Sequence, residues 1–291
     1  MFLKDLMKTS KNYQSKLLNG LKVVYCGTDG AFSHIATIKA FPNANIFSCG
    51  DFKEGYSLVE NGTYDCAVLP IENSYAGDVG GVMDLMFQGS LFVNRVVEIN
   101  VEHCLLGVEG STLEGAKKVI SHEQALMQCE EFIKKHNLES ENYSNTALAA
   151  KYIKEKNDKS LVVIASKETA EIFGLKILQE GVNTSKNNTT RFAVFSRTQN
   201  LPNKNVSDGN EHFILTFTTK NEAGALAQAL NIIGAHNFNM RSLRSRPMKE
   251  LIWNYYFYVE AEGNIATEDG QNMLKELSAI CARLKLVGTY N

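Results

Sequence analysis

The sequence predicts an α/β protein that carries a smaller βαββαβ unit at its C-terminal end. Two observations support this fold class. Apolar, β-prone runs alternate with segments of helical periodicity over residues 21–198. A stretch rich in Asn, Lys, Pro, Ser, Asp and Gly follows at 199–210, and residues 211–291 then show the order strand, helix, strand, strand, helix, strand. A length of 291 residues agrees with two domains.

The first part of the chain begins with a short helical lead at 1–20 that is too small for a domain. Glycines at Gly27 and Gly30 form the turn after the first strand, and Pro70 is expected to stop the second strand. The predicted strands are Leu21–Cys26, Cys66–Leu69, Val101–Val108, Val119–Ile120 and Leu161–Ala165, and the predicted helices are about Ser33–Ala40, Val79–Phe87, Glu123–His136 and Thr146–Lys156. Alternating strands and helices indicate a largely parallel sheet, whose ligands lie beyond the carboxyl ends of the strands.

The C-terminal unit shows the pattern of a ferredoxin-like fold. Its predicted strands are His212–Thr218, Met240–Ser245, Leu251–Ala261 and about Leu284–Tyr290, and its predicted helices are Gly224–His236 and about Thr267–Cys281. A small sheet of this kind with one open face usually pairs with a partner.

Composition and charge exclude several classes of function. The formal net charge of -2 gives no electrostatic case for binding nucleic acid or an anionic membrane. No apolar run approaches the roughly 20 residues of a membrane helix, and the N-terminus lacks the apolar region of a signal peptide, so we expect a cytoplasmic protein. The six cysteines show no C-x-x-C spacing, and no strand is followed by G-x-G-x-x-G, so neither a zinc site nor a dinucleotide site is predicted.

The run NNTTRF at 187–192 is the most informative segment. It combines two amides, two hydroxyls, a guanidinium and an aromatic ring, and it precedes the apolar run Phe192–Phe195. Adjacent Asn and Thr residues favour a loop, so the pattern predicts a polar loop that enters a strand and could present donors to an anionic substrate. A turn that satisfies its own backbone explains the same residues.

Five segments at the predicted strand ends resemble prephenate dehydratase. They are GTDGAFSH (27–34), LPIENS (69–74), SHEQALMQC (121–129), ASKETAEIFGL (165–175) and NNTTRF (187–192). The C-terminal unit is similar to an ACT domain, with GALA at 224–227 and RSRP at 244–247. Together the resemblance covers about residues 21–290, and five motifs in order form a highly specific signal.

The resemblance implies a catalytic domain of two α/β lobes around a cleft, like periplasmic binding proteins of the type II topology. It implies decarboxylative dehydration of prephenate to phenylpyruvate without a cofactor, inhibition by L-phenylalanine through the ACT domain, and a homodimer or homotetramer. Residues 1–20 are too short for the chorismate mutase domain of some relatives, so we expect no mutase activity.

The resemblance also implies the residues that meet the substrate. Thr190 would donate a hydrogen bond to the leaving hydroxyl, since a Thr hydroxyl is too weakly acidic to act as a free acid. Arg191 could clamp a carboxylate, or form a structural ion pair beneath the loop. Asn73 and Ser74 could bind substrate oxygens, or cap the following helix, while Glu72 would brace their loop.

Two further motifs contribute candidates. Ser121 begins a capping-box pattern, S-x-x-Q, and Gln128 lies two helical turns further along the same face, so both could point into the cleft. The resemblance adds Ser33, Thr189 and Phe192 as substrate-binding residues. His34 near a helix start has more often a structural role.

For the regulatory site the resemblance implies six residues in the two ACT motifs: Gly224, Ala225, Leu226, Ser245, Arg246 and Pro247. Arg244 stands where the usual motif has Glu, which reverses a charge beside the expected phenylalanine site and leaves the strength and sign of regulation open. Two other functions also stay open. One is dehydration of arogenate, which has an ammonium in place of the keto group, and the other is a non-catalytic amino-acid sensor.

Overall fold

Strand and helix alternate from the first described residues, as the apolar pattern predicts. The computed structural model describes residues 20–185, 187–203, 209–248 and 254–291. Most of the predicted lead at 1–20, part of the predicted linker at 199–210 and the start of the predicted strand Leu251–Ala261 lie outside these ranges. The described chain divides into two compact units, one with residues 20–55, 68–78 and 97–192, the other with residues 56–67, 79–96 and the described part of 193–291.

The first unit contains strands of two sheets. The strands are β1 (Lys22–Cys26), β2 (Asn45–Cys49), β3 (Cys66–Asn73), β4 (Gly77–Asp78), β6 (Cys104–Gly107), β7 (Lys118–Ser121), β8 (Glu139–Asn142), β9 (Leu161–Ala165), β10 (Lys176–Gln179) and β11 (Thr189–Ser196). One sheet includes strands in the order β11-β3-β1-β2, with the short β4 beside β3, and the other has five strands in the order β10-β6-β9-β7-β8. Strands β3 and β11, and β5 (Phe92–Asn100), contribute residues to both units.

The helices described before residue 200 are α1 (Phe32–Ala40), α2 (Phe52–Glu60), α3 (Gly80–Gln88), α4 (Glu123–Gln128), α5 (Glu130–Lys135), α6 (Thr146–Lys156) and α7 (Lys167–Phe173). Asn145 caps α6 with a side-chain oxygen that accepts from the Leu148 N–H, and Asn157 ends it in the left-handed conformation. The predicted bounds of α6 are confirmed because both of its ends carry local signals.

The inner strands β6 and β9 of the five-stranded sheet are buried on both faces, which explains the apolar run of β9. Neighbouring residues Val162 and Val163 belong to different hydrophobic clusters, and the same is true of Leu105 and Leu106 on β6. Both faces of a strand in such a sheet pack against apolar side chains, so no alternation with polar residues is needed. The prediction of a central strand over Leu161–Ala165 is confirmed.

Three predictions about these elements were wrong. The five-stranded sheet is mixed rather than largely parallel, because β6 runs antiparallel to both β9 and β10. Strand β3 continues through Pro70, whose fixed φ suits an extended chain even though its nitrogen cannot donate. The predicted helix over 123–136 is two helices, since Cys129 leaves the helical region with φ -118° and ψ 18°.

The second unit contains the βαββαβ sequence of elements that the pattern predicts: β12 (His212–Thr218), α8 (Ala225–Ala235), β13 (Asn239–Pro247), β14 (Tyr255–Glu262), α9 (Glu268–Ile280) and β15 (Arg283–Tyr290). The strand order is β13-β14-β12-β15-β5, and the four strands of the βαββαβ sequence pair antiparallel, as in ferredoxin-like folds. Helix α3 packs against β12 and β15 in the same unit. Alternate residues of β12, such as Phe213 and Leu215, pack in one core with α8 and α9.

No helix within the described ranges is long and apolar enough to cross a bilayer.

Candidate active site

Two of the predicted segments meet at Asn73 and Thr190. Asn73 is the last residue of β3, and its Nδ2 donates to Thr190 Oγ1 and to Asn188 Oδ1, at 2.8 Å each. Asn73 Oδ1 accepts from the backbone N–H groups of Tyr75 and Ala76 at 3.0 and 2.8 Å. Asn73 and Thr190 are each 9% exposed and Asn188 is 2% exposed. Segments 69–74 and 187–192 therefore form one hydrogen-bonded cluster, although their members are more than 100 residues apart in sequence.

A second set of bonds locks the same two segments through Ser74. Its Oγ accepts from the Thr189 N–H at 2.9 Å and donates to the Asn187 carbonyl at 3.0 Å. The Ser74 N–H donates to the Thr189 carbonyl at 2.8 Å. Neither Asn73 nor Ser74 caps α3, whose N-cap is Val79 without a side-chain bond. Ser74 and Thr189 hold the loop together, and their contact with substrate stays a prediction.

Residues Thr189 to Arg191 lie in strand β11 rather than in a loop, so that part of the loop prediction was wrong. Their side chains alternate between the two faces of the strand. Arg191 is partly exposed and its guanidinium lies 3.3 Å from Glu72 Oε2 and 3.8 Å from Glu98 Oε1. Phe192 points the other way and is 1% exposed. The ion pair and the Phe192 packing are structural roles, and the contacts of Arg191 and Phe192 with substrate stay predictions.

The first glycine loop is held by the segment that begins α7. Thr169 Oγ1 donates to the Gly30 carbonyl at 3.0 Å, and Ser166 Oγ lies 3.0 Å from Thr169 Oγ1 and caps α7. Gly30 has φ +85°, and a Cβ there would lie 3.2 Å from Thr169 Oγ1. His34 Nδ1 accepts from the Gly30 N–H at 3.1 Å, and burial lowers the pKa of His34. His34 therefore shapes the loop as a neutral ring.

Helix α1 begins one residue before Ser33, so Ser33 lies in its first turn, half-buried. The neighbouring Phe32 ring packs edge-on against His103, with ring centroids 5.7 Å apart.

Ser121 and Gln128 form hydrogen bonds with residues other than those of the Asn73 cluster. Ser121 ends β7, is 0% exposed, and donates its hydroxyl to the Ile164 carbonyl at 2.6 Å. Gln128, 6% exposed, has Oε1 2.9 Å from His103 Nε2. Burial lowers the pKa of His103, which disfavours an imidazolium there. The capping-box prediction was wrong: the N-cap of α4 is His122, whose Nδ1 accepts from the Gln124 N–H, and Ser121 precedes the helix.

The predicted regulatory residues lie in the second unit. Gly224 precedes α8 with φ +85°, and, apart from its neighbours in the chain, no heavy atom of the described residues lies within 4 Å of the position a Cβ would take. Ala225 and Leu226 open α8, while Ser245, Arg246 and Pro247 end the edge strand β13.

The Arg246 side chain is engaged within its own unit. Its Nε donates to Asp84 Oδ1 and lies 3.0 Å from both that oxygen and the Tyr256 hydroxyl. A Cβ on Gly80 would approach the same guanidinium to 2.5 Å. Arg246 therefore binds helix α3, and its predicted contact with phenylalanine would compete with that ion pair.

Sequence reasoning missed Asn188, Thr169 and His103 as members of these networks. Asn188 and Thr169 stand inside quoted motifs, but a lone Asn or Thr gives no signal of burial. His103 lies inside the predicted strand Val101–Val108 and has no motif around it. Their partners are 115, 139 and 25 residues away, so only the folded chain brings these groups together.

Comparison with known proteins gives a consistent assignment. The prephenate dehydratase family model matches residues 23–200. The chain is 32% identical over 97% of its length to arogenate dehydratase/prephenate dehydratase 2 of Arabidopsis thaliana, a chloroplastic protein, and covers 76% of it. A solved structure described as a novel type of quorum quenching acylase is 31% identical, with a TM-score of 0.84, over 92% of this chain and 97% of that one.

A second solved structure is the prephenate dehydratase of Arthrobacter aurescens in complex with L-Phe. It has a TM-score of 0.84 over 93% of this chain and 89% of that one, and at 24% identity it supports the fold. The family model covers more than half of the chain, and it spans all five segments that resemble the family. The chain is thus an enzyme that belongs to the prephenate dehydratase family.

Proposed function

We propose that the protein converts prephenate to phenylpyruvate in L-phenylalanine biosynthesis and that L-phenylalanine regulates it through the C-terminal βαββαβ unit, acting as an ACT domain. The observation that carries the catalytic proposal is the bond from Asn73 Nδ2 to Thr190 Oγ1. It joins the two segments that the resemblance assigns to the substrate, and it leaves the Thr190 hydroxyl proton available to a ligand.

The reaction needs positioning and hydrogen-bond donors. The bond between the ring carbon and its carboxylate breaks and releases carbon dioxide, and its electron pair enters the ring. The ring expels hydroxide, which takes up a proton and leaves as water, so the ring becomes aromatic. Negative charge grows on the departing oxygen, and a preorganised donor at that oxygen stabilises the transition state more than the ground state. Thr190 is the donor in this proposal.

Arg191 has a different role in this proposal from the clamp that the motif suggests. Its guanidinium already has the Glu72 and Glu98 carboxylates as neighbours. We assign it the task of bracing β11 beneath Thr190, as the structural alternative anticipated.

The test compares wild type with Thr190→Val and Thr190→Ser. Valine keeps the shape of the side chain but removes the hydroxyl, and serine keeps the hydroxyl. We expect Thr190→Val to lower kcat by about 10²- to 10³-fold, the usual loss for one oxyanion-type donor, while Thr190→Ser retains most of the rate. Phenylpyruvate formation from prephenate gives the rates, and circular dichroism confirms folding. A fully active Thr190→Val would overturn the role of the hydroxyl.

The substrate is tested with prephenate and arogenate in parallel. If the protein prefers arogenate and forms phenylalanine, arogenate is the substrate in place of prephenate. The proposed active site is unchanged in that case. A folded wild type that consumes neither would overturn the proposal and would direct attention to amino-acid sensing, or to the acylase activity described for the 31% identical structure.

The regulatory part is supported by the order and pairing of the six C-terminal elements and by the GALA and RSRP motifs. Backbone can approach a carboxylate closely at Gly224 because that residue has no side chain. We also propose that the protein forms a homodimer or homotetramer, as the resemblance implies, and that it is cytoplasmic.

A further inference from the structure

The orientation of the Asn73 amide follows from its surroundings. Its Oδ1 accepts from two backbone donors, the N–H groups of Tyr75 and Ala76. A backbone N–H can only donate, so the oxygen must face those two groups and the nitrogen must face the other way.

The two hydrogens of Asn73 Nδ2 are also used. Acceptors lie 2.8 Å away at Asn188 Oδ1 and at Thr190 Oγ1. The side chain has one oxygen with two lone pairs and one nitrogen with two hydrogens, so all four positions have partners in the protein. Asn73 therefore offers no hydrogen-bonding group to a substrate in this arrangement.

The same reasoning orients Asn188. The atom that faces Asn73 Nδ2 must be an acceptor, so it is Oδ1, and the Asn188 amide nitrogen points elsewhere. Asn188 Nδ2 is buried and has no partner among the described residues. Among the described residues, the Asn188 side chain is therefore held by the hydrogen bond that its oxygen accepts from Asn73.

The hydrogen bond from Asn73 determines the direction of the Thr190 hydroxyl hydrogen. Its Oγ1 accepts from Asn73, so its own hydrogen is directed away from that amide. A hydroxyl that accepts one hydrogen bond becomes a better donor in the next, since hydrogen bonds in a chain polarise one another.

We propose that Asn188 and Asn73 are positioning residues that act through Thr190. Asn188 Oδ1 holds the Asn73 amide, and Asn73 in turn makes the Thr190 hydroxyl a donor to the substrate rather than to the protein. The inference rests on the proposed function, and it assigns Asn73 an indirect role where the motif suggests a substrate ligand.

The decisive test is a double-mutant cycle with Asn73→Asp and Thr190→Val. The introduced carboxylate keeps an oxygen for the Tyr75 and Ala76 N–H groups but cannot donate when ionised, so the Thr190 hydroxyl turns toward it. We expect kcat at saturating substrate to fall by about 10²-fold in Asn73→Asp and to change little when the same substitution is made in Thr190→Val. Effects that multiply in the double variant would overturn the relay.

The pH profile of Asn73→Asp gives an independent readout. Once protonated, the introduced carboxyl group carries an O–H that can donate to Thr190, so the deficit in kcat shrinks as the pH falls. The charged groups on the adjoining segments are Glu72, Asp78, Glu98 and Arg191, and all four are present in wild type as well. The control is Asn272→Asp on the exposed face of α9, which should follow the wild-type profile. A deficit that is constant with pH would contradict the proposal.

Asn188 is tested with a matched pair of variants. Asn188→Asp keeps an oxygen that accepts from Asn73, whereas Asn188→Ala does not. We expect Asn188→Ala to lower kcat by about tenfold or more and Asn188→Asp to retain most of the wild-type kcat. Circular dichroism checks that both variants are folded. A rise in KM for Asn188→Asp at unchanged kcat would instead make Asn188 a direct substrate ligand and overturn its positioning role.

The outcomes for the two proposals are distinct. A wild type that consumes neither prephenate nor arogenate overturns the proposed function and the relay together. An active wild type whose variant effects multiply overturns the relay alone.

Discussion

At the scale of single residues, side chains in the site motifs divide into those that hold the backbone and those that remain available to a ligand. Ser74, Thr169 and His34 each bond a backbone group of a loop. Asn73 bonds both backbone and side chains, and Thr190 keeps a hydroxyl hydrogen that is directed away from Asn73. Most polar residues of the motifs therefore serve preorganisation, which fixes donors before the substrate arrives.

Gly30→Ala tests the contact between the glycine loop and α7. Alanine at φ +85° costs about 1–3 kcal/mol of backbone strain, and its Cβ would lie 3.2 Å from Thr169 Oγ1. Gly224→Ala is the control, because Gly224 has the same φ and, apart from its neighbours in the chain, no atom of the described residues lies within 4 Å of its Cβ position. Denaturant unfolding should show a larger loss of stability for Gly30→Ala. Equal losses would mean that the Thr169 contact adds nothing.

Arg191→Lys and Glu72→Gln test the brace beneath β11. Their side chains are 20% and 28% exposed, and each variant weakens the charge-assisted bond without removing both partners, so the free energy of unfolding should fall by about 1 kcal/mol or less. We expect KM for prephenate to stay unchanged in both variants. A strong rise in KM for Arg191→Lys but not for Glu72→Gln would instead support the role of Arg191 as a carboxylate clamp, which the motif predicts.

At the scale of secondary-structure elements, charged side chains join elements that are distant in sequence. Within the second unit, Arg246 on β13 binds Asp84 on α3, and Lys285 on β15 donates to the carbonyls of Met86 and Gly89 at the end of that helix. A cation at a helix C-terminus meets unpaired carbonyls and the negative end of the helix dipole.

His236 at the end of α8 gives the fold a predictable pH dependence. Its ring nitrogens lie 2.7 Å from Asp269 Oδ1 and 3.3 Å from Glu276 Oε1, both on α9, and the hydrogen bond to Asp269 raises the pKa of His236. Because the raised pKa belongs to the folded state, the stabilisation is complete below the unfolded pKa of about 6.5 and is lost as the pH rises through the folded value.

The measurement is the free energy of unfolding of wild type and His236→Gln as a function of pH. The difference between them should be largest at acidic pH and should fade toward alkaline pH. Asp269→Asn combined with Glu276→Gln removes both negative charges but keeps oxygens that can accept, and it should strongly reduce this pH-dependent difference. A difference that grows with pH would mean that the neutral ring is the stabilising form.

At the scale of the whole molecule, the division into units follows packing rather than the order of the chain. Residues 56–67 and 79–96 belong to the same compact unit as the C-terminal elements, whereas 68–78 belong to the other. The predicted boundaries at 198 and 211 follow composition alone and stay a prediction. The two lobes around a cleft likewise stay a prediction.

Regulation is the prediction that involves the whole molecule. Phenylalanine that binds the folded protein should raise its melting temperature by mass action and should lower the rate of phenylpyruvate formation. Gly224→Asn should abolish both effects, because Asn tolerates the left-handed backbone and its side chain would fill the open space there. The control is Gly209→Asn, whose φ of +78° and open surroundings are similar. Equal responses in the two variants would exclude a site at Gly224.

The sequence by itself determined the features that have local causes. The α/β class, the βαββαβ order, the ends of α6 and the run of β9 follow from periodicity, caps and continuous apolar residues, and each is confirmed. Five motifs in order were sufficient to identify the family, which the family model confirms.

Only the tertiary structure decided which polar groups meet. The side chains that accept from Asn73 come from 115 and 117 residues away, and the direction of β6 in its sheet depends on pairing that no local pattern encodes. The sequence also contained no signal that Ser121 and Gln128 are buried, or that Arg246 forms an ion pair with Asp84. The physical reason is that propensity acts over a few neighbouring residues, whereas a hydrogen bond in the core depends on which distant segments the fold places side by side.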